Sequence, residues 1–156
     1  LDYVRLYGQL FAYVPLGPLV WAQGYRAGIV PGDFTLLLIE NRFRAGGPTT
    51  VRGFEQNAVG PQSPSGLSLG GQAVAVLNQE LRFPIYKRLK GGVFWDAGNT
   101  WITAAEWSLS DLRQSAGVGL RYMFPFGPLR VEYAWILDRQ EGEPKGRFVF
   151  ALGHAF

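Results

Sequence analysis

The chain has 156 residues, with 15 Lys and Arg against 12 Asp and Glu and a formal net charge of +3. Hydrophobic residues at 47% and aromatics at 15% exclude a disordered, solvating segment, and 21 Gly with 10 Pro argue against a helical bundle. The absence of Cys and a single His, His154, exclude disulfide frameworks, thiolate sites and imidazole clusters, and three surplus charges carry no nucleic-acid argument.

No secretory signal is visible in Leu1-Asp2-Tyr3-Val4-Arg5, which lacks a basic start before an apolar stretch. Residues Leu6 to Tyr25 run 20 positions without a charge, the length of a membrane helix. Pro15, Gly17 and Pro18 would break such a helix, so the run reads as two strands and a tight turn. In the first strand, Tyr3 to Val14, residues Arg5, Tyr7 and Gln9 alternate with Val4, Leu6 and Leu10. In the second, Leu19 to Ile29, residues Leu19, Trp21 and Tyr25 oppose Gly24, Arg26 and Gly28. An irregular stretch spans about 30–69; connections this long are functional or disordered. Its apolar piece Phe34 to Ile39 reads as an extra strand or as packing inside the loop.

Alternation returns in Gly71 to Phe83, with Ala73, Ala75, Leu77 and Leu81 against Asn78, Glu80 and Arg82. A turn is expected at Pro84 to Lys87, then a strand from Leu89 to Asn99 that places Asp96 on the polar parity. After a loop at 100–112, Arg113 to Phe124 and Leu129 to Trp135 flank the turn Pro125-Phe126-Gly127-Pro128. A charged loop, Asp138 to Lys145, precedes the last predicted strand, Arg147 to Phe156. In it Phe148, Phe150, Leu152 and Phe156 share one parity.

Seven strands of about ten residues, short turns alternating strictly with long loops, make the pattern of an all-β, antiparallel transmembrane β-barrel. Tyr13, Trp21, Trp101, Phe124 and Trp135 fit interfacial girdles. Charges are costly in lipid, so the parity of Arg5, Arg26, Glu80, Arg82, Asp96, Arg121, Arg130 and Glu132 should face the lumen. A soluble sandwich or lipocalin-like barrel would show the same alternation with the apolar parity inside. Barrels of this type usually have an even strand count, so at least one strand is expected before Leu1.

The densest signal is Arg42-Phe43-Arg44-Ala45-Gly46-Gly47 followed by Val51-Arg52-Gly53-Phe54. Together with Trp95-Asp96-Ala97-Gly98-Asn99, the Pro-Phe-Gly-Pro hairpin and the ending Phe148 to Phe156, it resembles outer-membrane assembly factors of the BamA/TamA type. These belong to the surface-antigen superfamily, which includes the two-partner-secretion transporters. The resemblance covers nearly the whole chain, 1–156, and implies the carboxy-terminal part of a sixteen-stranded barrel. It implies that the long loop folds back into the lumen, where Arg52 meets Glu80 and Asp96. A guanidinium fork suits such a pair of carboxylates. Gly53 would permit a tight bend and Phe54 would anchor the tip by burial.

The resemblance further implies that Phe148, Phe150, Leu152 and Phe156 form an outer-membrane assembly signal, and that Gly153 lets the last strand bend at a seam that opens laterally. His154 reads as interfacial rather than catalytic, and Gly117 and Gly119 as room for the inserted loop. Enzyme readings find no usable base, no metal cluster and no phosphate loop, so no catalytic residue or cofactor is expected. The implied function is assistance to the folding and insertion of other outer-membrane proteins. The implied partners are the lipid bilayer, client outer-membrane proteins and upstream soluble periplasmic domains missing from this chain, with no nucleic acid. The implied location is the bacterial outer membrane or the outer membrane of a bacterially derived organelle. Two alternatives remain: a two-partner-secretion translocation pore, or a structural barrel fragment, alone or paired with a second copy, without activity of its own. An isolated eight-stranded barrel is filled by its own side chains, so the loop would then have to lie outside.

Overall fold

A computed structural model describes residues 3–156; the expectations that concern Leu1 and Asp2 lie outside the described residues. Seven strands form one antiparallel sheet in chain order: β1 (Leu6–Leu16), β2 (Leu19–Ile29), β3 (Ala73–Tyr86), β4 (Leu89–Trp101), β5 (Arg113–Phe124), β6 (Gly127–Ile136) and β7 (Gly146–Leu152). Every neighbouring pair is antiparallel. Among the described residues β1 and β7 do not pair with each other, so the strands make a curved wall rather than a closed barrel.

The register aligns one parity across all seven strands. A row near mid-strand runs Gly24, Asn78, Asp96, Ser115, Ile136, and the next runs Ala22, Glu80, Phe94, Gly117, Ala134. These positions are buried, Glu80 and Asp96 among them, and so are Arg121, Arg130 and Glu132 on the same parity. The other parity is bare: Phe148 is 66% exposed, Phe150 68% and Leu152 62%, and Trp21, Val93, Leu120 and Trp135 are also exposed. A water-soluble sheet does the reverse. A continuous apolar outer face with charge sealed inside requires lipid outside, which removes the soluble-sandwich alternative.

The hydrophobic cluster lies on the inner face, and the long connection between β2 and β3 supplies most of it. Val30, Leu37, Phe43, Ala45, Val51, Phe54 and Val59 pack against Val74, Val76 and Ile136 of the wall. That connection holds no regular strand. Phe34–Leu36 and Ile39–Asn41 are single 3₁₀ turns, so the extra-strand option for Phe34 to Ile39 fails. Asp33 caps the first turn by accepting from the Thr35 hydroxyl at 2.7 Å and its amide at 2.9 Å, and the hydroxyl first, then the amide, holds its carboxyl below the usual range. Isolated bridges Phe43–Gly71 and Ala45–Val59 and the Arg42 guanidinium, bonded to the carbonyls of Leu37 and Leu69, fix the rest.

Several boundaries differ from expectation. β1 begins at Leu6, not Tyr3. β3 continues through Pro84 to Tyr86 with a register irregularity, and the turn moves to Lys87-Arg88. Pro84 sits where the ladder ends, so its missing N–H costs little. Two of the expected girdle aromatics are elsewhere: Trp101 is only 6% exposed beneath Trp107, and Tyr13 is on the inward parity of β1.

The largest correction concerns the last strand, which ends at Leu152 rather than Phe156. Gly153 has φ +101° and turns the chain off the sheet. Phe156 therefore leaves the outward parity of Phe148, Phe150 and Leu152. Its ring stacks on Phe11 at 6.2 Å and its carbonyl accepts from the Tyr13 hydroxyl at 3.1 Å, on the inner side of the wall.

Candidate functional site: an arginine lock inside the wall

The long connection descends along the wall until Val51-Arg52-Gly53-Phe54 reaches its middle. Val51 is buried against Gly98, whose missing side chain makes the space. Gly53, at φ +93°, bends the tip beside Ala134, and Phe54 is buried beneath the Arg113 guanidinium.

Arg52 is fully buried, and four of its five side-chain N–H bonds are used. Nε donates to Asp96 Oδ2 at 2.7 Å and Nη2 to Asp96 Oδ1 at 2.9 Å, a bidentate fork. Nη1 donates to Glu80 at 2.6 Å and to Glu132 at 2.8 Å. The Arg52 amide also donates to Asp96 at 3.0 Å, so the backbone as well as the side chain is tied to β4. The guanidinium carbon lies 3.6 Å from the centre of the Phe94 ring, which supplies a cation–π floor. Asn78 completes the anchorage by donating to both Asp96 and the Thr50 carbonyl.

Each carboxylate has further partners. Glu80 accepts from Arg82 at 2.6 Å and from Arg121, and Glu132 accepts from Arg130. Arg130 reaches on to the Gly153 carbonyl at 2.7 Å and to the Pro48 carbonyl. Such a network is costly to desolvate, so its value lies less in net stability than in specifying one position for the loop. Chemically it can hold and orient. Glu80, Asp96 and Glu132 are each engaged by guanidinium groups.

The expected trio Arg52, Glu80 and Asp96 is thus in contact, and Val51, Gly53 and Phe54 surround it. Phe148, Phe150 and Leu152 line the outer face at some distance, with Gly153 joined to the network through Arg130. Glu132 and Phe94 were not among the residues expected to hold Arg52. The signal was present: Gly117 and Gly119 lie beside them, and a side chain at 117 would strike Phe94 while one at 119 would strike Glu132. These glycines make room for the wall's own side chains rather than directly for the loop.

A lipid-facing antiparallel wall with a long loop ion-locked to its inner side defines an outer-membrane barrel protein of the loop-in-lumen class. Residues 1–156 match the Omp85 superfamily domain over their whole length, and the chain belongs to that superfamily. It is 31% identical to the outer membrane protein assembly factor BamA of Nitratidesulfovibrio vulgaris, over 99% of this chain and 21% of that protein. It is 29% identical to outer envelope protein 80 of Arabidopsis thaliana chloroplasts, over 96% of this chain and 19% of that protein. The crystal structure of BamA from Haemophilus ducreyi lacking POTRA domains 1–3 superposes with a TM-score of 0.77 at 23% identity, over 94% of this chain and 34% of that one. The chain therefore spans about a fifth of the length of these curated relatives. Its location is a bacterial outer membrane or the outer envelope of a bacterially derived organelle.

Proposed function

We propose that the chain is part of a barrel that assists the folding and insertion of other outer-membrane proteins through a weakened seam at its last strand. The observation that carries this reading is the continuity of one ion network. Arg52 holds the loop through Glu132, Glu132 holds Arg130, and Arg130 holds the carbonyl of Gly153, where the last strand stops. Loop position and strand end are thereby one mechanical unit. β7 is seven residues long, and among the described residues its far edge is unpaired. An open edge can template an incoming strand by backbone pairing, and a short one yields easily.

The similarity to proteins named as assembly factors supports the reading. The activity needs no chemical step and no cofactor; its partners are the bilayer and client barrels. The test uses the protein in phospholipid vesicles and follows the folding rate of an unfolded small outer-membrane barrel by its gel mobility. Folding is expected to be faster than in empty vesicles, and slower again with Arg130→Gln. Equal rates with and without the protein would reject the proposal.

A further inference from the structure

Towards the short-turn end of the inner wall, Lys90, Arg121 and Arg130 lie directly opposite one another on β4, β5 and β6. Like charges facing each other across strands repel. Glu80 relieves Arg121 and Glu132 relieves Arg130. Among the described residues no carboxylate lies within ion-pair range of Lys90. Glu80 cannot serve it, because one oxygen already accepts from Arg82 and Arg121 and the other from Arg52. Arg82 has its own deficit: Nη2 is buried and without a partner.

A cavity of about 190 Å³ opens at this point. Arg82, Lys90, Arg121 and His154 line it, with Val20 and Met123 among its apolar lining. No carboxylate lines it. Desolvation first, and then Arg82, Arg121 and Arg130, hold the His154 imidazole below its ordinary value against the opposing pull of Glu80, so among the lining groups the charge is carried by the cations.

We propose that this mouth of the lumen binds a carboxylate carried on an apolar stretch of polypeptide. Lys90 and Arg121, directly opposite each other on β4 and β5, line the cavity with Arg82 and present positive charge to one anionic group. The apolar lining decides the carrier. A free hydrated phosphate would leave Val20 and Met123 uncovered, whereas a peptide would cover them. A lipid headgroup would have to cross from the outer face, because Lys90 and Arg121 are on the inward parity. The inference does not rest on insertion activity, and binding is measured separately from it.

The test is fluorescence anisotropy of a labelled peptide of alternating leucine and glutamate, added to the protein in a non-ionic detergent. Saturable binding that weakens with salt is expected. Charge reversal by Lys90→Glu should weaken it about tenfold and Lys90→Ala about threefold, the scale of one partly exposed ion pair. Lys90 is exposed and unpaired, so both variants should keep the β-sheet circular dichroism, and the alanine variant decides if the other does not fold. Equal affinity in the variants, or for a leucine–lysine peptide, would overturn the proposal. Displacement by inorganic phosphate or by a short-chain phosphatidylglycerol at the peptide's own concentration would also overturn it, assigning the site to a free anion or to lipid.

Discussion

Around Arg52, three carboxylates converge on one guanidinium, and all three lie on the wall while the cation comes from the loop. Around Lys90, three cations stand in a row on the wall itself, and the two carboxylates nearby are already shared. Both clusters use the same inward parity and the same few strands. In the first the opposite charge comes from a segment of this chain; in the second, among the described residues, no carboxylate lies within ion-pair range of Lys90. A wall can thus be charged in advance for a partner, and whether that partner is present is visible in which of its charges meet an opposite one.

Removing the loop's cation should do the most to break this contrast. Arg52→Ala leaves three buried carboxylates short of a partner and should cost about 3–5 kcal/mol. Hydrogen exchange should then accelerate through residues 42–69 while β3 to β6 stay protected. Unchanged loop protection would show that burial of Phe43, Val51 and Phe54 suffices without the ion lock. Glu80→Gln comes next, because it strands Arg82 and Arg121 while Arg52 keeps Asp96 and Glu132. About 2–3 kcal/mol should be lost, read as a lower urea midpoint in lipid, less than for Arg52→Ala.

Gly98→Ala probes the loop's seat without touching a charge. A Cβ there would meet Val51 at 2.7 Å and the Ala75 carbonyl oxygen at 3.0 Å. Alanine ordinarily improves on glycine inside a strand, so a loss of about 1–2 kcal/mol has the informative sign. A gain would mean that Val51 is not held where it lies. Lys90→Gln should have the smallest effect and the opposite sign. Relieving the cross-strand repulsion should stabilise by about 0.5 kcal/mol, measured as a slightly higher urea midpoint at low salt that vanishes at high salt.

Much of this arrangement was legible in the residues. β2 and β5 have their expected ends, and the parity of every strand follows from period-2 alternation alone. Arg52, Glu80 and Asp96 were legible by resemblance, and the inward parity of the two acids independently. What escaped was set by packing across strands or by backbone bends. Phe156 looked like a continuation of Phe148, Phe150 and Leu152, yet one glycine at positive φ sends it to Phe11 and Tyr13 on the other side of the wall. Glu132 joins Arg52 only because β5 carries glycine opposite it. Trp101 is covered because the loop after β4 brings Trp107 over it.

Sequence by itself determined the strands, their two faces and the alternation of short turns with long loops, because side-chain period is a local property of extended backbone. It could not say which face meets lipid, since inside-out and outside-in sheets alternate identically. Tertiary structure decided that, by sealing five acidic and basic wall residues, Glu80, Asp96, Arg121, Arg130 and Glu132, on the inner side and leaving phenylalanine and leucine bare on the other. The physical reason is that ions can be buried only where oppositely charged partners meet them, and those partners are 28, 44 and 80 residues apart in the case of Arg52.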